Sequence, residues 1–329
     1  GPLFCVLRRY VVIDLAEEWR RLDARRRKPD AKAHWDKRAE TYSFKDAPDE
    51  YLRAFITKAG IAGGERVLDM GCGTGSLSLA LAGMGCSVIA ADFSEGMLSR
   101  VRENAVSRGM LFEEAGFPLG IPDCSGRRVH PGEDHAKPSG VQGFASSASP
   151  GKVLPLCMSW EDDWAQFGLE ADSVDVALAS RSLITHDLED SLKKLSRVAA
   201  SRVCVTVGTG VSPRIDMRVA RAMGLELEVH NDALFVFGIA HQLGYEPTVS
   251  YIHSPRMKCY VSPDEAYHSL LRTKEYVADG ASQVSSEECS RRLRLFLERH
   301  LVERSEGAVR CWTLDEPRVV PWAFIRWDV

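Results

Sequence analysis

The residues best suited to chemistry lie around three glycines that are spaced two positions apart, namely Gly71, Gly73 and Gly75. Glycine has no Cβ and adopts positive φ readily, so such a turn lets a ligand approach bare backbone. Asp69 lies two residues before the first glycine, and its charge would repel a pyrophosphate but attract a ligand that carries an ammonium and a sulfonium group. The dinucleotide-binding fingerprint requires a further glycine where this chain has Ser76, so the spacing does not fit that ligand.

A second acidic residue follows at the distance expected for a nucleoside site. Asp92 ends the next apolar run, about 20 positions after the glycines, where an acid can accept both hydroxyls of a ribose. Phe93 could lie against an adenine ring, and Ser94 is a typical residue to cap the start of a helix. The order of acidic residue, three glycines and second acidic residue therefore predicts a nucleoside-binding crevice.

Such a crevice needs a sheet that brings these residues to one edge. Apolar runs alternate with helical patterns through this part of the chain. The alternation is typical of an α/β fold with a doubly wound, mostly parallel sheet that binds ligands at its carboxyl edge. The predicted strands are 66–70, 87–91, 152–158, 175–179 and 202–207, and the predicted helices are 51–59, 76–83, 95–108 and 187–199.

The chain divides into three parts in this interpretation. Residues 1–50 form an N-terminal helical cap, residues 51–210 form the core, and residues 211–329 add helices and strands that complete the sheet and the substrate pocket. Residues 113–152, rich in Gly, Pro and Ser, interrupt the core as a loop insertion. The C-terminal part is expected to contain helices at 214–223, 232–243, 263–276 and 286–301, strands at 248–252 and 257–261, and a hairpin of 309–314 with 319–327.

The segment VLDMGCGTGSLSLALAGMGCSVIAADFSEGML resembles the first two motifs of the class I S-adenosylmethionine-dependent methyltransferases, whose fold is Rossmann-like. The resemblance implies S-adenosyl-L-methionine as the cofactor and transfer of its methyl group by in-line displacement. In the family, the residues that match Asp69 to Gly75, including Cys72, surround the methionine moiety and the ribose. The residue that matches Asp92 binds the ribose hydroxyls, and the residue that matches Phe93 packs on the adenine, just before Ser94.

The resemblance also implies contacts outside these motifs. Residues 159–162, which include Trp160 and Glu161, match a polar pair beside the adenine amine. Ser180 matches a frequent cofactor contact. Tyr42 matches an aromatic residue that faces the cofactor from a covering N-terminal helix.

The loop after the strand 175–179 carries the candidates for catalysis. His186 is the candidate general base, since histidine gains and loses a proton near neutral pH, and Arg181 could bind a carboxylate or phosphate of the substrate. His186 could instead be a surface residue that precedes a helix, and Arg181 could pair with a nearby acid. The loop reads Ser-Arg-Ser-Leu where nucleotide-amino methyltransferases resemble one another in an (Asp/Asn)-Pro-Pro-(aromatic) motif, which argues against exocyclic base amines as the target.

A metal site is not expected. Cys124, His130, Glu133, Asp134 and His135 lie close together in the insertion, but their spacing fits no strong zinc signature.

The amino-acid composition limits the classes of partner that the chain is expected to bind. The 329 residues include 42 Lys and Arg and 46 Asp and Glu, with a formal net charge of −4, whereas chains that bind nucleic acid or membranes by bulk charge are usually basic. No apolar run approaches the roughly 20 residues that span a bilayer, and no leader-like segment is expected. Nine scattered cysteines without a CxxC pair are typical of a reducing compartment. We therefore expect a cytoplasmic enzyme with a small-molecule substrate, no membrane or nucleic-acid partner, and an oligomeric state that the sequence leaves open.

Three alternatives remain open at this point. The basic run 20–28 would suit a methyltransferase that acts on RNA or protein. The chain could also bind S-adenosylmethionine without catalysis. An NAD-dependent oxidoreductase is the third alternative, against which Asp69 and Ser76 argue.

Overall fold

The computed structural model describes residues 13–25, 31–40, 49–112, 151–213, 215–227, 230–276, 284–306 and 309–329. Its strands are β1 Arg66–Met70, β2 Ser87–Asp92, β3 Leu111–Phe112, β4 Lys152–Cys157, β5 Val174–Ser180, β6 Ala199–Gly208, β7 Thr248–Arg256, β8 Leu301–Glu306, β9 Val309–Leu314 and β10 Arg318–Asp328. Its helices are α1 Leu15–Arg25, α2 Ala31–Ala39, α3 Asp49–Ala59, α4 Ser76–Gly83, α5 Glu95–Ser107, α6 Leu188–Val198, α7 Met217–Met223, α8 Asp232–Gln242, α9 Pro263–Leu271 and α10 Ser286–His300.

Eight strands form one central sheet in the order β3-β4-β2-β1-β5-β6-β10-β7. The strands from β3 to β6 pair in parallel, whereas β10 lies antiparallel between β6 and β7. Parallel strands must be covered on both faces, and β1 and β5 accordingly consist mainly of buried residues. The predicted α/β class and mostly parallel sheet are confirmed. The strand order reverses at β1, and ligands bind at the carboxyl ends of strands beside such a reversal.

Helices cover both faces of the sheet with separate apolar clusters. Helices α1, α6 and α8 pack on one face, and α3, α4 and α5 pack on the other. Strand β10 shows the division: Ala323, Ile325 and Trp327 belong to the first cluster, while Trp322 and Phe324 belong to the second. Successive side chains of a strand point to opposite faces, so a strand that is apolar on both faces suits an interior position. A third cluster joins α7 to α10.

The predicted strand at 257–261 is wrong. Strand β7 continues instead to Arg256, and Tyr260 makes an isolated antiparallel bridge to Trp312. The difference arises because β7 pairs along β10 for nine positions, with Arg318 opposite Arg256 at the end of the ladder. The chain leaves the sheet at that point and forms no further strand before α9.

The predicted hairpin of 309–314 with 319–327 is also wrong. Strand β9 pairs with β8 in a separate two-stranded sheet, and β10 joins the central sheet. Leu301, expected at the end of a helix, begins β8. The physical reason is burial: the apolar residues on both faces of β10 are covered only inside the large sheet.

Helices α1 and α2 are the described elements of the N-terminal part. Two arginines of the basic run are neutralised on α1, because Arg20 pairs with Glu189 and Arg21 pairs with Glu17. No helix in the ranges that the structure describes is both long and apolar enough to cross a bilayer.

Candidate functional site

The glycine turn joins β1 to α4 at the carboxyl edge of the sheet. Gly71, Gly73 and Gly75 have φ values of 74°, 57° and 82°, a left-handed conformation that other residues rarely adopt. A Cβ on Gly71 would lie 2.3 Å from the Cβ of Ser182, so this glycine is required by the loop that follows β5. A Cβ on Gly73 would meet no described atom within 4 Å, so this part of the turn borders open space.

Asp92 lies at the end of β2 with its carboxylate against the turn. The backbone N–H of Gly73 donates to Oδ2 at 2.9 Å, and the N–H of Ser94 donates to Oδ1 at 3.0 Å. The residue is 5% exposed, and burial raises the pKa of its carboxyl although these two hydrogen bonds oppose the shift. Each carboxylate oxygen can accept more than one hydrogen bond, so both oxygens keep capacity for hydroxyl donors.

Asp69 is the second buried acid of the crevice. Its side chain is 1% exposed and accepts a hydrogen bond of 2.6 Å from the hydroxyl of Ser78 on α4. The pKa of Asp69 is raised to about 6, chiefly by burial and also by the charge of Asp92, while the Ser78 hydrogen bonds and the Arg181 charge oppose the shift. Two carboxylates near one turn create a negative potential that favours a cationic ligand.

The remaining residues of the predicted cofactor set lie around this turn. Burial raises the pKa of the Cys72 thiol well above its usual range, so Cys72 is a neutral part of the turn. The hydroxyl of Ser94 accepts from the backbone N–H of Met97 at 3.2 Å and so caps α5. Phe93, between Asp92 and Ser94, is half-buried.

Helix α2 closes over the start of α5. The Ser94 hydroxyl donates to Oδ1 of Asp36 at 2.5 Å, and the backbone N–H of Gly96 donates to the same oxygen at 3.3 Å. Arg100 of α5 donates from Nε to the carbonyl oxygen of Ala39. The N-terminal part therefore reaches Ser94, two residues after the ribose candidate Asp92. Asp36 lies in the segment 34–42, which resembles the covering N-terminal helix of the family, but only Tyr42 of that segment was predicted as a site residue.

The segment after β4 contains a buried tryptophan that binds the loop after β5, and an exposed acidic residue. Trp160 is 7% exposed, and its indole Nε1 donates to the carbonyl oxygen of Ser182 at 3.1 Å. Glu161 is exposed, whereas the carboxylate of Asp162 accepts from the backbone N–H of Ser159 at 2.7 Å. Trp160 thus ties this segment to the loop after β5, beside Gly71.

Ser180, at the end of β5, belongs to a polar cluster under α3. The hydroxyl of Tyr51 lies 2.8 Å from the Oγ of Ser180 and 2.7 Å from the Oγ1 of Thr206. Tyr51 is 129 positions from Ser180 and 155 positions from Thr206, so no local pattern in the sequence could indicate this cluster.

Arg181 is the residue after Ser180, and its guanidinium group lies beside two aromatic rings. The guanidinium carbon lies 4.3 Å from the ring centroid of Tyr51 and 5.7 Å from that of Trp322. The residue has a φ of 61°, and its backbone N–H donates to Thr206. Its side chain makes no hydrogen bond or ion pair to the residues that the structure describes, so its donors remain available for an anionic group.

His186 lies at the end of the same loop. Its Nδ1 is 2.9 Å from the Oδ2 of Asp23 on α1, and Trp19 of α1 donates from Nε1 to the neighbouring carbonyl oxygen of Thr185. The imidazole is 56% exposed, whereas the Asp23 side chain is 7% exposed. A buried carboxylate that holds one ring nitrogen leaves the other to face outward, the arrangement of an oriented base.

Some candidates lie outside the described residues, namely Tyr42 and the insertion residues Cys124, His130, Glu133, Asp134 and His135. Within the described ranges, no group of three His, Cys, Asp or Glu side chains is arranged to hold a metal ion.

The segment that forms the glycine turn is similar to a known protein family. Residues 67–117 match a family model described as a methyltransferase domain. This segment belongs to the methyltransferase domain family. This match agrees with the resemblance of the motifs in the segment to the class I S-adenosylmethionine-dependent methyltransferases.

Similarities to individual proteins cover different shares of the chain. The chain is 26% identical over 246 residues to a Haemophilus influenzae protein whose name states no function, covering 74% of this chain and 73% of that protein. It is 53% identical over 51 residues to the demethylmenaquinone methyltransferase of Clavibacter sepedonicus, covering 15% of this chain and 21% of the relative. The YcgJ protein of Bacillus subtilis superposes with a TM-score of 0.44 at 12% identity, covering 84% of this chain and 97% of that one.

Proposed function

We propose that this protein binds S-adenosyl-L-methionine at the carboxyl ends of β1 and β2 and transfers its methyl group to a nucleophile of a small molecule. The observation that carries the proposal is the turn itself: Gly73 borders open space, and the carboxylates of Asp69 and Asp92 lie buried beside it. A dinucleotide would bring a pyrophosphate to these two acids, which electrostatic repulsion disfavours.

The residues present fit this cofactor. The carboxylate of Asp92 would accept the two ribose hydroxyls, as its remaining capacity allows. Asp69 would favour the positively charged methionine end, and the Cβ-free backbone at Gly71, Gly73 and Gly75 would line the path between them. Phe93, Trp160 and Glu161 are proposed for the adenine side, and Cys72, Ser94 and Ser180 for the edges of the crevice.

When bound, S-adenosyl-L-methionine would supply an electrophilic methyl group on a good leaving group. The work left to the chain is to align the nucleophile and to exclude water from it. Arg181, held between Tyr51 and Trp322, is proposed to fix an anionic group of the substrate. Tyr42 is proposed to cover the site.

His186 is proposed to remove the proton of a hydroxyl or amine nucleophile. Asp23 would act as its positioning residue by holding Nδ1, which leaves Nε2 to accept the proton. Once a substrate is found, His186→Ala should lower turnover by about 10²–10⁴-fold, the usual contribution of a general base. Unchanged turnover at every pH would remove His186 from the mechanism.

The compartment and the substrate size belong to the same proposal. The nine scattered cysteines without a CxxC pair support a reducing cytoplasm. The net charge of −4 and the ion pairs of Arg20 and Arg21 support a small molecule over RNA.

A radiolabel experiment tests the reaction. The purified protein is incubated with S-adenosylmethionine labelled on its methyl group and a cell extract, and the label is measured in the small-molecule, RNA and protein fractions. Label in the small-molecule fraction is expected. Label in RNA or protein would favour the macromolecular alternative, and binding of the cofactor without any transfer would identify a non-catalytic protein.

A further inference from the structure

A cavity of about 330 Å³ lies in the part of the molecule that the methyltransferase motifs do not reach. Helices α2, α7 and α9, the end of β7 and the start of β10 contribute its walls. Strand β10 runs opposite to β6, and β7 runs opposite to β10. The start of β10 and the end of β7 therefore lie at the same edge of the sheet as the glycine turn.

The walls of this cavity carry an excess of positive charge. Two carboxylates, Asp216 and Glu316, face six cationic side chains. These six are Arg38, Arg218, Arg256, Lys258, Arg272 and Arg318. The excess contrasts with the net negative charge of the whole chain, so it is a local feature.

Both carboxylates of the cavity are engaged by a single arginine. Arg218 donates from Nε and from one terminal nitrogen to the two oxygens of Asp216, at 3.1 and 2.8 Å, and its other terminal nitrogen lies 3.8 Å from Glu316. Burial alone would raise the pKa of Asp216, but the hydrogen bonds and charge of Arg218 outweigh it and lower that pKa. Asp216 is thus ionised and committed to Arg218.

Among the other cations, Arg272 pairs with Glu275 at 3.5 Å, whereas Arg318 and Lys258 have neutral partners. Arg318 donates to the carbonyl oxygen of Pro213 at 2.7 Å, and Lys258 donates to the hydroxyl of Ser269 at 2.7 Å. Neither forms an ion pair with the residues that the structure describes.

Arg318 and Arg256 are also directly opposite in the antiparallel ladder, where like charges destabilise a sheet. Burial lowers the pKa of Arg318, and the charge of Arg256 adds to this effect while that of Asp216 opposes it. A pair of like charges in the wall of a cavity is stabilised when an anion binds between them.

Guanidinium groups recognise carboxylates and phosphates through paired, parallel hydrogen bonds. A volume of about 330 Å³ is near the lower end of small-molecule pockets. We propose that this cavity binds the substrate of the methyl transfer and that the substrate is a small molecule with at least two phosphate or carboxylate groups. The proposal rests on the function proposed above.

Helix α2 connects the cavity to the cofactor crevice. Arg38 of α2 lines the cavity, and Asp36, half a turn away, accepts hydrogen bonds from Ser94 and Gly96 beside Asp92. A molecule held by the cationic wall would therefore lie across α2 from the proposed cofactor site, with its anionic groups anchored and another part free to react.

Binding of two unrelated polyanions tests the proposal. Tripolyphosphate and citrate are titrated calorimetrically into the full chain in chloride buffer, with spermidine as a cationic probe of similar size and S-adenosylhomocysteine as a reporter of the cofactor crevice. The cavity variant is Lys258→Gln with Arg272→Gln, two changes at the exposed rim. The control is Lys193→Gln with Arg291→Gln, which removes the same charge from α6 and α10.

The expected result is that at least one polyanion binds to the parent protein and the control, and binds at least tenfold more weakly to the cavity variant. S-adenosylhomocysteine should bind all three proteins equally, which also shows that the cavity variant is folded. Polyanion binding without S-adenosylhomocysteine binding would support an anion site and refute the proposed function. The inference is overturned if neither polyanion binds, if spermidine binds as tightly, or if the control loses as much affinity as the cavity variant.

Discussion

The glycine turn and the cationic cavity lie at the same edge of the sheet but are built in opposite ways. The turn places two buried carboxylates, Asp69 and Asp92, beside bare backbone, whereas the cavity places six cationic side chains around an opening of about 330 Å³. The turn uses residues within a short stretch of chain, and the cavity draws on residues from Arg38 to Arg318. Adjacent regions of opposite charge can hold two ligands in one orientation, a cationic one and an anionic one.

The largest expected effect concerns the open side of the turn. Gly73→Val should abolish binding of S-adenosylhomocysteine, because the new side chain would fill the space that Gly73 borders. Gly109→Val is the matched control, since Gly109 also has a positive φ of 64° and no atom within 4 Å of a built Cβ, but lies at the end of α5. Both variants carry a similar backbone strain of about 1–2 kcal/mol. If calorimetry found equal affinity for S-adenosylhomocysteine in the two variants, the cofactor would not bind on this side of the turn.

Asp69 offers a test through pH. Burial raises its pKa to about 6, above the ordinary value of 3.8, so the folded state holds the proton more tightly than the unfolded state. Stability from this group is complete below the unfolded value and is lost as pH rises through about 6, by at most about 3 kcal/mol. Asp69→Asn should therefore gain stability relative to the parent between pH 4 and 7 in urea unfolding, whereas Asp175→Asn should lose it, because Arg66 lowers the pKa of Asp175. Parallel pH profiles of the parent and Asp69→Asn would contradict the buried charge.

Asp92→Ala should weaken binding of S-adenosylhomocysteine by about 1.5–3 kcal/mol, the loss expected for hydrogen bonds to a charged acceptor. Asp175→Ala is the control, because Asp175 lies near the start of β5, at the opposite edge, and pairs with Arg66. Isothermal titration of both variants decides the ribose assignment. Undiminished affinity in Asp92→Ala would show that the ribose binds elsewhere.

The smallest effect is expected for salt on the binding of S-adenosylhomocysteine, and salt therefore separates the two regions. Raising the ionic strength from about 0.1 to about 1 M shortens the Debye length from about 10 to about 3 Å. S-adenosylhomocysteine carries no net charge, so its affinity should change less than about twofold, while tripolyphosphate should lose most of its affinity. Equal salt dependence for both ligands would mean that the regions do not differ in the proposed way.

The glycine turn could be predicted from sequence because its parts are local. A strand, three glycines and the start of a helix follow one another, and Asp92 ends the next strand, so spacing alone indicates their meeting. The resemblance to a known family added the chemistry of the ligand. The α/β class followed from the alternation of apolar runs with helical patterns.

The rest depends on distant pairing that no local pattern encodes. Tyr51 meets Ser180 and Thr206 only because α3 crosses the ends of β5 and β6. Strand β10 was expected in a hairpin, and its antiparallel insertion between β6 and β7 is what brings Arg318 opposite Arg256. The cationic cavity therefore could not be predicted from the sequence alone, because it depends on the order of the strands.

The most direct test of the central claim is a calorimetric titration of the full chain with S-adenosylhomocysteine, followed by NADH. The account predicts that S-adenosylhomocysteine binds at one site per chain and that NADH gives no heat of binding and does not compete. Binding of NADH at the turn, or no binding of S-adenosylhomocysteine, would contradict it.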